Sequence, residues 1–187
     1  LWGALLSLAG TFLYFQQASL VRDNFHDRGA QTAFFAQIDL AVNVITLIVQ
    51  LFFTGRIVGV LGVGATLAIL PALTLLGFGA LAALPAVSTL VAFQVLRRSS
   101  DYAIARPTRE VLYTVVPRED RYKAKSFIDT VVYRGGDQIG AWTYALVAMA
   151  SFGSTLMAAI AIGLAALWLT NGLWLGRRQA LLASRES

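Results

Sequence analysis

Apolar residues run along this chain in six blocks, each long enough to cross a bilayer as a helix, which takes about 20 residues. The blocks cover residues 1–21, 33–53, 63–84, 87–106, 127–150 and 154–175. Short breakers separate them: residues 22–31, a glycine-rich turn over 55–62, Pro85, a basic stretch at 106–126, and Ser151-Phe152-Gly153. Strands of a membrane barrel alternate apolar and polar residues over about ten positions, and these runs do not. The pattern predicts an all-α membrane protein, a single domain of six transmembrane helices.

Polar residues are spread unevenly over the six blocks, and their spacing sorts the helices. The first carries Ser7, Thr11, Tyr14 and Gln17 roughly along one side. In the second, Asp39, Asn43, Thr46 and Gln50 recur at helical spacing and share one face. That stripe reads either as the wall of a water-filled path or as hydrogen-bonding glue between helices, typically about 0.6 kcal/mol per contact. The third and sixth blocks hold no charge and read as peripheral, lipid-facing helices, the third kinked at Pro71.

The fourth and fifth blocks carry the chemistry. Residues 86–96 are too short to cross, so the fourth helix continues through Arg97, Arg98, Ser99, Ser100 and Asp101. Gln94, one or other arginine, and Asp101 share a face, and Arg97 and Asp101 have the spacing of a helical ion pair. Two guanidiniums in a low-dielectric cavity suit an anionic or phosphorylated solute; the plainer reading has both snorkelling to the membrane surface. The fifth block carries Asp129, Tyr133, Arg134, Gly135, Gly136, Asp137, Gln138 and Gly140, with Tyr133, Asp137, Gly140 and Tyr144 on one face. Asp137 is placed to pair with Arg97 or Arg98, to take up a proton, or to bind a cation. An ionised group in hydrocarbon costs about 2.5–3.5 kcal/mol on insertion scales, so charges in spans mark wet interior paths.

Composition agrees. The chain is 57% hydrophobic and 13% charged, where a soluble domain averages about 25% charged. Its net charge of +5 lies in loops between spans rather than on a soluble face, which argues against nucleic acid. Cysteine is absent and His26 is the single histidine, read as a loop residue, so thiolate or histidine metal sites and thiol catalysis have no material. No metal and no cofactor is expected. The absence of an initiator Met reads as a cut through a longer protein.

Loop charges fix an orientation. Arg56, Arg106, Arg109, Arg118, Arg121, Lys123, Lys125, Arg177, Arg178 and Arg185 fall on one side, and only Arg22 and Arg28 on the other. The positive-inside bias puts the richer side, and both ends of the segment, in the cytoplasm. Cations in the 106–126 loop also sit near anionic lipid headgroups, each contributing about 1 kcal/mol. Thirteen arginines against two lysines suggest a GC-rich bacterial genome and its inner membrane.

Six spans with polar second, fourth and fifth members resemble half of a twelve-span major facilitator. The glycine- and arginine-bearing turn over 54–62 loosely resembles the cytoplasmic loop of that superfamily. The stretch from Asp101 through Arg109-Glu110 to Pro117 is similar to a segment of the ATP/ADP translocases of plastids and intracellular bacteria. So is the run Tyr122-Lys123-Ala124-Lys125-Ser126-Phe127-Ile128-Asp129. About 40 residues carry the resemblance, and Arg109, Glu110, Lys123, Lys125, Asp129, Arg134 and Gly136 match the family pattern by position. It implies the C-terminal half of a nucleotide-exchanging carrier, with the N-terminal six-helix half as its missing partner. One position departs: where the translocases have a lysine after the shared Arg and Gly, this chain has Asp137. That reversal would repel a nucleoside triphosphate and leaves room for another anionic metabolite.

The sequence therefore supports a secondary transporter working by alternating access. No phosphate-loop run is present, so it is not a nucleotide-hydrolysing pump by itself. Two other classes compete: a degenerate transporter half acting as a membrane scaffold or sensor, and an intramembrane enzyme acting on phosphorylated lipid. The enzyme would have to work with Asp39, Asp101, Asp129 and Asp137, each on a different helix or turn.

Overall fold

The computed structural model describes residues 2–24, 27–112, 123, 125–149 and 154–186, and among them every regular element is helical. Helix α1 spans Trp2–Asn24, α2 Arg28–Phe52 and α3 Thr54–Ala83. Helix α4 (Val87–Ser100) runs through a π-helical turn, Asp101–Ala105, straight into α5 (Arg106–Leu112). A second π-helical turn, Ile128–Val132, leads into α6 (Tyr133–Met149), and α7 covers Ser154–Glu186. Four stretches are long and apolar enough to cross a membrane: Trp2–Arg22, Arg28–Phe52, Thr54–Ala83 and Ala159–Arg178. The α4–α5 and α6 rods are not among those four; they carry Arg97, Arg98, Asp101, Arg134 and Asp137.

Exposed apolar stripes fit a lipid environment. On α2, Leu40, Val44, Leu47 and Leu51 are all exposed, and on α6 Ile139, Trp142, Leu146 and Met149 are too. Stripes of this size on a water-soluble monomer would be aggregation sites.

Packing pairs the helices in a regular way. Helix α3 packs along α7, α1 along α6, and α2 along α4; α3 also meets α4, and α1 meets α7. Exchanging α1, α2 and α3 for α4, α6 and α7 maps this set of packings onto itself. Small residues make the closest crossings. A Cβ on Gly64 would lie 2.5 Å from the Gly176 Cα, so α3 and α7 touch backbone to backbone. Gly172 and Ala68 continue the seam one turn away, where a Gly172 Cβ would come 3.7 Å from the Ala68 Cα. Beside it, Trp2 and Trp168 meet edge to face at 5.2 Å.

Several expected boundaries move, each for a local reason. Helix α2 starts at Arg28 rather than 33 because Asp27 caps it, its carboxylate accepting from the Ala30 N–H at 2.8 Å. The turn expected over 55–62 is helical except at Gly62, whose φ of 74° breaks α3. Pro71 keeps helical backbone angles, so the break lies at the glycine and not at the proline. Helix α3 is not simply peripheral either: Thr66, Leu67, Leu70, Thr74 and Phe78 are buried in the α3–α4–α7 contact. The basic stretch at 106–126 is helical as far as Leu112 and again over 125–127. The sixth helix runs on past 175, carrying Arg177 and Arg178 as part of α7. His26, Arg118, Arg121 and the breaker at 151–153 lie outside the described residues.

Candidate functional site

A cleft of about 510 Å³ opens between α1, the α4–α5 rod and α6. Its charged lining is Arg97, Asp101, Arg106 and Asp137, and its polar lining is Ser7, Thr11, Tyr14, Tyr133 and Gln138. Charges expected on two separate helices therefore do meet in one place.

Arg97 is the centre of it. The residue is 8% exposed, and one Nη donates to the Leu6 carbonyl at 3.3 Å. Its Nε is buried with no hydrogen-bond partner. Gly10 makes the room: a Cβ there would stand 3.4 Å from the guanidinium. A buried guanidinium with an unused donor has lost its hydration without full replacement, a cost of several kcal/mol that an anion in the cleft would offset.

Asp101 differs from the expected pairing with Arg97. It opens the π-helical turn, and in that geometry a residue meets its neighbour five positions on, so its carboxylate faces Arg106 Nε at 3.4 Å. The other carboxylate oxygen is buried without a partner. Pro107 explains the turn. It has no N–H to give the Ala103 carbonyl four residues back, and its ring would crowd that carbonyl in a regular helix. The Thr54 hydroxyl donates to the Ala103 carbonyl at 2.7 Å, and Gln50 Nε2 to the Tyr102 carbonyl at 3.3 Å. The cost of the irregular turn is thus met by α2 and α3.

Asp137 bonds neither arginine. Its Oδ1 accepts from the Ser7 hydroxyl in a short contact and from the Thr11 hydroxyl at 3.4 Å. Glycines at 136 and 140 let α1 come this close: their Cβ atoms would sit 2.9 Å from Ser7 Cβ and 3.1 Å from Thr11 Cβ. Tyr133 and Tyr144 share this face, as their spacing predicted; Tyr144 stacks on Phe15 at 4.5 Å. Arg109 lies over the Tyr133 ring at 5.4 Å and donates to its hydroxyl.

Other candidates fall elsewhere. Arg98 turns away from the cleft and bonds Asp39 on α2 at 2.5 Å. Adjacent helical residues point about 100° apart, and that offset brings Arg98 to Asp39 on α2 while Arg97 stays on the cleft. Asn43 is exposed on α2, and Arg134 is exposed on α6; neither lines the cleft. Gln94 is buried and donates to Gln17 Oε1. Gln17 and Tyr14 line a second cleft, about 460 Å³, that reaches Arg22 and Phe35. Lys125 bridges to Glu110 at 2.8 Å, Lys123 is exposed, and Asp129 lies in the second π turn.

No protein-family model matches the chain, nor does any curated protein or any solved structure.

Proposed function

We propose that this chain is one six-helix half of a secondary transporter, similar to the ATP/ADP translocases, that moves a small anionic solute by alternating access. The observation that carries the proposal is Arg97: buried, one donor unused, and set in the wall of a cleft built by three helices. Such a group inside a membrane protein marks a solute or ion path.

Three further features support it. The five packings named above map onto one another when the first three helices are exchanged for the last three, as in a three-plus-three internal repeat, though α2–α3 has no comparable α6–α7 counterpart among the described residues. At 1.5 Å per residue, the rod from Val87 to Leu112 is about 39 Å long, enough to cross a bilayer. On α1, α4–α5 and α6 the lining runs from the middle of each helix toward the end that loop charges assign to the cytoplasm, which makes the main cleft the inward vestibule. The second cleft approaches from the Arg22 end, and Tyr14 with the Gln17–Gln94 pair stands between the two. A second six-helix unit would close the open side, and the inner membrane of a bacterium is the expected site.

The solute is a small phosphate-bearing or carboxylate-bearing metabolite. Asp101 and Asp137 on the same cleft disfavour a nucleoside triphosphate. Uptake of labelled phosphate, sugar phosphates and nucleotides into proteoliposomes holding the full-length protein tests the reading. Arg97→Ala should abolish uptake of the preferred anion, while Arg98→Ala should keep it. Uptake of none of these anions, or equal uptake by Arg97→Ala, overturns the proposal.

A further inference from the structure

The cleft holds two unlike poles, and only one of them is served by an anion. Asp101 lies against Arg106, and Arg97 and Asp137 are the two charged groups of the cleft that make no ion pair within 4 Å among the described residues. The hydrogen-bonding groups at Asp137 Oδ1 are oxygens: the Ser7 and Thr11 hydroxyls, with the Tyr133 and Ser7 carbonyls behind them.

Those carbonyls give the hydroxyls a second option. Ser7 Oγ lies 2.9 Å from the Tyr133 carbonyl, and Thr11 Oγ1 lies 3.1 Å from the Ser7 carbonyl. A hydroxyl has one proton and two lone pairs. Each can therefore donate to Asp137, or turn its proton to the carbonyl behind and present a lone pair to the space beside the carboxylate. The second arrangement makes three side-chain oxygens of one carboxylate and two hydroxyls, with Asp137 exposed to cleft water for the remaining positions.

We infer that Asp137, Ser7 and Thr11 form a sodium site. Hard oxygen ligands select hard cations over transition metals. One carboxylate balances one charge, whereas a divalent ion would leave a net positive charge beside buried Arg97. The glycines at 136 and 140 let α1 and α6 approach closely, so the three oxygens are gathered tightly and suit a small ion better than potassium. Binding swaps the hydroxyl protons from carboxylate to carbonyl and ties α1 to α6, the two helices that wall the cleft. An anion on Arg97 and sodium on Asp137 then enter as a neutral pair, each reducing the other's electrostatic cost. That coupling role rests on the transporter reading; the binding itself does not.

The test is sodium titration of the full-length protein in lipid nanodiscs, without solute, following intrinsic tryptophan fluorescence and thermal stability. Potassium and choline chloride at equal ionic strength are the references. Sodium alone should give a saturable response. Asp137→Asn should abolish it, and Thr11→Val should raise the half-saturating concentration about tenfold, a ligand loss of ~1.4 kcal/mol, with Thr11→Ser restoring it. Arg97→Ala should leave the sodium response in place while losing anion uptake, which separates this inference from the transport proposal. Equal responses to the three salts, or a response unchanged in Asp137→Asn, would overturn the site; uptake driven by a proton gradient and indifferent to sodium would overturn its coupling role.

Discussion

Replacing Thr54 with valine removes one hydroxyl and keeps the shape, and it strikes the contact that makes the π-helical turn tolerable. The Ala103 carbonyl is buried and receives the Thr54 proton at 2.7 Å, in place of the N–H that Pro107 lacks. The Val49 carbonyl, the hydroxyl's other neighbour at 3.1 Å, keeps the Phe53 N–H at 2.9 Å. The loss therefore falls on Ala103, and leaving a buried acceptor short of a donor costs about 1–3 kcal/mol. Unfolding of the purified protein in mixed micelles should show a loss in that range. The decisive comparison is a double-mutant cycle with Pro107→Ala, which restores an N–H four residues after Ala103. In that background Thr54→Val should cost about 1 kcal/mol less, within the usual range for coupled neighbours. Equal costs in both backgrounds would refute the link between Pro107, the turn and Thr54.

Two other perturbations have defined outcomes. Gly64→Val should destabilise by about 2 kcal/mol or more, since its Cβ would sit 2.5 Å from the Gly176 Cα and the helices must part; a thermal midpoint unchanged within error would contradict the backbone contact. Arg98→Gln should cost less than about 1 kcal/mol and spare transport, because the Arg98–Asp39 pair is 35% and 54% exposed; loss of uptake with normal folding would return Arg98 to the site.

Much of the site could be read from helical periodicity, because periodicity says which residues of one helix share a face. It grouped Tyr133, Asp137, Gly140 and Tyr144 correctly and put Ser7, Thr11, Tyr14 and Gln17 on a cavity-lining side. It says nothing of how two helices slide past each other, and so the meeting of Ser7 and Thr11 with Asp137 was hidden. The clue lay in the match of Ser7 and Thr11, four apart, with Gly136 and Gly140, also four apart. The Arg97–Asp101 ion pair does not form although the backbone joining them is α-helical, because Asp101 opens the π turn that follows and its carboxylate turns to Arg106. Of Arg97 and Arg98 only Arg97 lines the cleft, because Asp39 on the neighbouring α2 takes Arg98, a contact between helices that periodicity does not show. The capped start of α2 at Asp27 was legible from the Asp residue itself, and the helical path through 106–112 was masked by its charges.

Water access to the cleft is the most direct measure of the central claim, and these 187 residues hold no cysteine of their own to label in the background. Single cysteines placed at Thr11, Gln138 and Ala141 of the cleft wall, and at exposed Leu47 on α2 as the lipid-facing reference, are reacted with a charged membrane-impermeant thiol reagent in inside-out vesicles. The three cleft positions should label rapidly and be shielded by the transported anion only while Arg97 is present, and Leu47→Cys should stay unlabelled. Cleft cysteines as inert as the one at 47 would contradict a hydrated chamber around Arg97.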